Sequence, residues 1–331
     1  MSSKAYVTLL TKAEYLSGVL VLNYSIKAVN SQYPLVVMVT PLVTQHVREI
    51  LGKQDIKIYE VETLMPEEGR HSLSEHDTRF HDTWSKLRVF GLSDFERVVL
   101  LDADMIVLRN MDELLDLPLA GDEIAAAHAC ACNPRKLPHY PTDWYGIYAN
   151  STLSFLTDCF LITRIPANCA HTAVPNPQAP PPTWSPNTPR PYGQLNSGTV
   201  VVNPSKELAD AIIRYLNTED ISKFSFPDQD LLAAFFKGKW KPLPWYYNAL
   251  KTLKVIHVPE WDDNEIRCLH YILHDKPWKA RESSEGEPAY IEFNNWWWDR
   301  YEQMLMGLEA KDQNFVRSTI GLEITAANKA L

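Results

Sequence analysis

The chain has 331 residues of ordinary globular composition, 45% hydrophobic and 22% charged, with a net charge of −9. The acidic balance argues against nucleic acid as a general partner, because phosphate backbones select basic patches. No apolar stretch reaches the roughly 20 residues of a membrane-spanning helix. A length of this kind supports a large core, and one α/β domain with elaborations fits better than several small ones.

The start, Met1-Ser2-Ser3-Lys4, lacks the apolar centre of a secretion signal, which gives the expectation of a cytosolic protein. Ala5 to Leu10 is a short apolar run rich in strand formers, the pattern of a buried strand. Lys12 to Asn30 shows helical spacing through Tyr15, Val19, Leu22 and Ile26. Pro34 to Thr40 reads as a second strand, Val43 to Leu51 as a helix, and Ile56 to Val61 as a third strand. Trp84 to Gly91 looks helical, and Arg97-Val-Val-Leu-Leu101 is a fourth strand running directly into Asp102. Strands and helices alternating at these lengths predict a mostly parallel sheet with helices on both faces. Such sheets bind ligands beyond the carboxyl ends of their strands, where Asp102 and Asp104 lie.

The regularity fails between Asn133 and Leu195. Residues 166–191 hold nine prolines, which forbid a regular helix or a central strand. The Pro-rich insertion, about 166–192, reads as a loop over or beside an acceptor site or as a surface excursion. Order returns at Asn196 to Pro204, a buried strand, followed by helices over Lys206 to Leu216 and Asp228 to Phe236. Leu269-His-Tyr271 looks like a strand end, and Phe293 to Leu308 has helical spacing. The expected organisation is one domain over residues 1–310 and a loosely attached tail over 311–331.

Five cysteines stand at 130, 132, 159, 169 and 268, an odd count that reads as free thiols rather than a disulfide framework. Cys130, Cys132, Cys159 and Cys169 supply enough soft ligands for a structural metal, but their spacing fits no common zinc ribbon, so buried thiols are the expectation.

Two carboxylates one residue apart at a strand end can converge on a divalent cation. Oxygen ligands select a hard ion, and an added imidazole shifts the preference toward manganese. Asp102-Ala103-Asp104 alone is also what a solvated turn looks like; the buried strand before it is what favours a metal site. His270 is the candidate imidazole. His257, after the strand-like Val255-Ile256, competes with it, and either histidine by itself reads as a core residue.

The motifs Tyr6-Val-Thr-Leu-Leu-Thr11, Ser85-Lys-Leu87, Leu101-Asp-Ala-Asp104, Leu195-Asn-Ser-Gly198, Asp228-Gln229, Lys241-Pro-Leu-Pro-x-x-Tyr-Asn248 and His270 through Lys276-Pro-Trp278 together resemble glycosyltransferase family 8. The likeness runs in order over roughly residues 4 to 305. It is strongest to the glycogenin and galactinol-synthase branch, and within it to galactinol synthases, through Tyr33-Pro-Leu-Val-Val, Leu115-Asp-Leu-Pro118, the Cys-x-Cys pair and Trp296-Trp-Trp-Asp-Arg-Tyr301. The resemblance implies a GT-A fold, a UDP-sugar donor, a manganese ion and retention at the anomeric carbon. By position it implies that Asp102, Asp104 and His270 hold the metal. Leu9, Thr11 and Tyr15 then line the nucleotide pocket, Lys86 contacts the donor, and Ala103, Ser197 and Gly198 complete the donor motifs. Asn196 and Asp228 surround the sugar, Gln229 lies beneath the anomeric carbon, and Lys276 grips the diphosphate.

One departure stands out. Three places after the histidine, where the family usually has a small residue, this chain has Leu273, which puts the loop geometry and the reach of Lys276 in question. Between Ala249 and Leu269 there is no tyrosine, so self-glucosylation of the glycogenin kind is not expected there. The implied acceptor is a small polyol such as myo-inositol, or a saccharide, and a homodimer is compatible with the reading. Glucose and galactose are not distinguished. The alternatives are a glycogenin-like enzyme acting on protein or glucan, a non-catalytic UDP-sugar binder, and a nucleotidyltransferase; the last is disfavoured because Leu9-Leu-Thr-Lys12 stands where a Gly-rich phosphate loop would be.

Overall fold

A computed structural model describes residues 3–72, 82–133, 140–144, 168–279 and 288–306. The expected tail from Lys311 and Cys159 lie outside the described residues. β1 (Lys4–Leu10), α1 (Leu16–Ala28), β2 (Leu35–Val39), α2 (Gln45–Lys53), β3 (Lys57–Glu60) and β4 (Arg97–Leu101) follow the expected alternation. Further along are β5 (Met105–Val107), β6 (Ile124–His128), β7 (Leu195–Val202), α3 (Lys206–Thr218), α4 (Pro227–Phe235), β8 (Trp240–Leu243), β9 (Ala249–Leu250), α5 (Leu253–Ile256), β10 (Cys268–His270) and α6 (Pro288–Met306).

Seven strands form the main sheet in the order β3-β2-β1-β4-β7-β6-β8. The β1, β2, β3 and β4 pairings are parallel, as is β6 with β8, while β7 runs antiparallel to both β4 and β6. The two-residue period of these strands divides their side chains between two cores. Tyr6, Val37, Val39, Val99 and Leu101 face the layer that includes α1, α2 and α6. Val7, Val36, Met38, Val98 and Leu100 face the layer of α3 and α4. Helices cover both faces, as the alternating pattern predicts.

Three segments differ from the sequence reading. Helix α1 begins at Leu16, after a 3-10 turn over Ala13–Tyr15. The segment Thr83–Gly91 is a 3-10 helix. Residues Val255 and Ile256, read as strand-like before His257, belong to α5. β8 contains Pro242, which a sheet tolerates because β8 is an edge strand.

A small sheet, β5-β10-β9, sits beside the first, with β10 antiparallel to β5 and parallel to β9. Its importance is positional. Asp102 and Asp104 fall between β4 and β5, and β10 pairs His270 directly with Met105. Two segments 166 residues apart are thereby brought side by side by strand pairing.

The described part of the Pro-rich stretch is tied down at several points. Pro182 O accepts from His128 Nε2 at 2.7 Å, Pro177 O from Trp245 Nε1 at 3.1 Å, and Trp184 packs against Gly193.

Candidate active site

The Asp102 backbone N–H donates to Gly198 O at 2.9 Å, which fixes the chain at the point where it leaves β4. Its carboxylate then meets Lys86 Nζ at 2.7 Å and His270 Nε2 at 3.7 Å. Asp104 Oδ1 lies 3.3 Å from His270 Nε2, and its Oδ2 accepts from Lys276 Nζ. One ligand atom from each of Asp102, Asp104 and His270 lies within 4.8 Å of the others. Burial disfavours the charged form of Asp104, but Lys276 and then His270 overcome it and hold the carboxyl well below the usual range. For Asp102 burial wins against Lys86 and His270, and its pKa is raised.

The orientation of His270 follows from a chain of hydrogen bonds with only one consistent direction. The Gly198 backbone N–H can only donate, and it reaches Asn196 Oδ1 at 3.0 Å. Asn248 Nδ2 donates to the same oxygen at 2.8 Å, so Asn248 must present its own oxygen elsewhere. That oxygen faces His270 Nδ1 at 2.8 Å and accepts its proton. In the neutral ring, Nε2 then carries the lone pair, and it is aimed at two carboxylates. Lys86 and Lys276 face the outer oxygens, Asp102 Oδ1 and Asp104 Oδ2, while Asp102 Oδ2, Asp104 Oδ1 and Nε2 converge on one another, and such hard oxygen and imidazole ligands suit a divalent cation. The residues therefore fit a metal ion.

Asn248 carries this tautomer lock, yet in the sequence it is only the end of a motif. Replacing it with alanine is expected to weaken manganese binding about 10–100-fold, as loss of a partner behind a ligating histidine does. Isothermal titration with manganese would measure it; unchanged affinity would mean that the hydrogen bond does not set the tautomer.

Two glycines make room for the site. A Cβ on Gly198 would stand 2.5 Å from His270 Cε1, so the His270 ring lies against bare backbone. A Cβ on Gly18, within α1, would come 2.4 Å from Ala103 O and 2.9 Å from the Trp278 ring. Alanine is ordinarily the better helix former, but here the obstacle is backbone and cannot move cheaply. Gly18→Ala is expected to lower stability by about 1–3 kcal/mol and to displace the Asp102-Asp104 turn. Thermal melts and manganese titration of the variant would show both effects.

The remaining candidates surround this centre. Leu9 is the penultimate residue of β1, Thr11 follows the strand and places Oγ1 3.4 Å from Asp82, and Tyr15 packs edge-on to Trp278 at 5.6 Å. Lys86 bridges Asp102 and Asp228, the latter at 3.1 Å, and the two carboxylates raise its pKa against the opposing effect of burial. Asp228 and Gln229 open α4 and are buried, and Gln229 Oε1 accepts from Asn196 Nδ2 at 3.2 Å. Ser197 is buried in β7.

Leu273 has a φ of +77°, the left-handed backbone that a small residue adopts most easily. A leucine held there carries backbone strain that a glycine would avoid. Lys276 still reaches the site: its Nζ donates to Tyr271 O at 2.8 Å as well as to Asp104.

The profile described as "Glycosyl transferase family 8" matches residues 6–282. The chain belongs to glycosyltransferase family 8. Among similar members, galactinol synthase 1 of Solanum lycopersicum is 28% identical over 303 residues, covering 89% of this chain and 81% of its own. Galactinol synthase 1 of Ajuga reptans is 26% identical, covering 94% and 85%. An uncharacterized protein of Acanthamoeba polyphaga mimivirus is 27% identical, covering 92% and 95%. Among solved structures, the galactosyltransferase LgtC, in complex with donor and acceptor sugar analogs, superposes with a TM-score of 0.60 at 13% identity, covering 95% of this chain and 99% of LgtC. The bifunctional glycosyltransferase WbbM gives 0.57 at 17%, with this chain spanning about half (51%) of it. The fold of this family 8 enzyme is thus the GT-A type, and its glycosyltransferase activity implies a nucleotide-sugar donor and a sugar-accepting partner. Among the described residues no helix is long and apolar enough to cross a membrane.

Proposed function

We propose that this family 8 enzyme transfers a hexose, galactose or glucose, from a UDP-sugar to a polyol such as myo-inositol, with retention of anomeric configuration and with manganese as its ion. The observation that carries the reading is the convergence of Asp102, Asp104 and His270 beside Lys276 at the carboxyl edge of the sheet. A divalent ion held by those three residues would offset the charge that grows on the departing diphosphate. Lys276 adds a second positive charge to the same leaving group. Lys86 paired with Asp228, and Asn196 paired with Gln229, are the polar groups that would orient the transferred sugar. Leu9, Thr11 and Tyr15 offer the nucleotide a surface beyond β1. Gln229 is a poor nucleophile, and Asp228 is tied to Lys86, which together favour front-side attack with a diphosphate oxygen taking the acceptor's proton. A covalent adduct on Asp228 or Gln229, trapped with a slow fluorinated donor, would overturn that choice.

The polyol acceptor is supported by the galactinol synthases among the similar proteins and by the absence of tyrosine between Ala249 and Leu269. UDP release with each hexose donor, with and without myo-inositol, tests donor and acceptor together. We take residues 1–310 as one catalytic domain with a tail from 311. A cytosolic setting is supported by the reduced state of Cys130, Cys132, Cys169 and Cys268, which form no disulfide among the described residues.

A further inference from the structure

Away from the donor site, three sulfurs and an imidazole meet. Cys130 and Cys132 follow β6, Cys169 precedes a 3-10 turn over Ala170–Ala173, and His257 follows α5. His257 Nε2 lies 3.5 Å from Cys130 Sγ, 3.3 Å from Cys132 Sγ and 3.6 Å from Cys169 Sγ. The four ligand atoms all lie within 4.8 Å of one another. Cys132, Cys169 and His257 are buried, and Cys130 is half-buried.

Hydrogen bonds from the imidazole do not explain this arrangement. An imidazole nitrogen has one proton or one lone pair, so it can satisfy one sulfur and not three. A tetrahedral zinc ion does explain it. With Zn–S near 2.3 Å and Zn–N near 2.0–2.1 Å, the sulfur-to-nitrogen edge of the tetrahedron is about 3.6 Å. The surroundings are built as well: the neighbouring His171 ring, 5.4 Å from that of His257, is held by the buried Glu260 at 2.9 Å through Nδ1 and by His128 O at 3.1 Å through Nε2.

We propose that Cys130, Cys132, Cys169 and His257 form a structural zinc site. All four positions come from protein, which marks a closed, structural site, and the soft thiolates separate it from the hard ligand set at Asp102 and Asp104. The ion would join the end of β6, the chain entering the Pro-rich stretch and the connection between β9 and β10. The buried thiols expected from spacing are thus assigned a ligand role, with His257 rather than Cys159 as the fourth member. This assignment does not depend on the identity of the donor or acceptor.

The test is the metal content of the untagged 331-residue chain, purified without added metal and measured by plasma mass spectrometry, alongside cobalt reconstitution. About one zinc per chain is expected. The zinc should be lost in Cys169→Ser and His257→Ala and kept in Asp102→Asn. His257→Cys, which offers four thiolates, should keep both the fold and the zinc, so instability of the alanine variant does not obscure the result. Cobalt should give the thiolate charge-transfer bands of a tetrahedral site. The proposal is overturned if the wild-type protein lacks zinc and gives no such bands when reduced and loaded with cobalt. It is equally overturned if zinc content is indifferent to both Cys169→Ser and His257→Ala, or if Asp102→Asn alone removes it.

Discussion

Replacing Asp104 with asparagine is expected to lower metal-dependent turnover by about three orders of magnitude. Asp104 offers one carboxylate oxygen to the cation position beside His270 and the other to Lys276. An amide keeps the shape but loses the charge. A metal ion polarising the leaving group is worth several kcal/mol of transition-state stabilisation, and roughly 4 kcal/mol corresponds to about 10³ in rate. The variant should also melt earlier, because it leaves the buried Lys276 ammonium without its carboxylate. These effects can be separated. Asp104→Asn combined with Lys276→Met removes both charges, so it should regain part of the lost stability while remaining inactive. If the double variant regains activity along with stability, Asp104 serves the fold rather than the reaction. Turnover, melting temperature and manganese titration on the two variants check the argument.

Lys276→Met should reduce kcat/KM for the donor by about 10²–10³, the usual scale for losing one preorganised charge on a developing anion. The direction of its effect on metal binding is the more discriminating result. Lys276 competes with any cation for Asp104, so removing it lowers the repulsion at the site, and manganese should bind at least as tightly as in the wild type. A variant that loses donor turnover while keeping manganese places Lys276 on the diphosphate. A variant that loses manganese as well would show that Lys276 only holds Asp104 in place. Steady-state kinetics over a range of donor concentrations, paired with calorimetric manganese titration, distinguishes the two.

The first half of the fold is readable from sequence because β1, β2 and β4 are compact apolar runs, β3 alternates with strand period, and α1 and α2 show helical spacing. β1, β2, β3 and β4 are visible for that reason. β5 is three residues long, β6 reads Ile-Ala-Ala-Ala-His with alanines that do not favour strands, and β8 contains a proline. Those strands exist because of their neighbours, a property no local window carries. The reversal of β7 is likewise a matter of pairing.

At the site, the acids were legible from their place after Leu101. The Asn248–Asn196–Gly198 chain behind His270 was not, since it joins Asn248 to Asn196 across 52 positions and to His270 across 22, separations that leave no local pattern. The cysteine cluster shows the same limit from another side: spacing among the cysteines alone pointed away from a metal, and the fourth group, His257, lies 88 residues beyond Cys169. What hid it was distance along the chain.

The account's central claim is that Asp102, Asp104 and His270 support metal-dependent, retaining hexosyl transfer from a UDP-sugar. Its most direct test is the reaction of the purified chain with UDP-galactose or UDP-glucose, myo-inositol and manganese, followed by UDP release and by proton NMR of the product. The account predicts UDP formation that stops with chelator and a product with the α-configuration of the donor. No UDP from either donor in the presence of manganese, or a β-linked product, would contradict it.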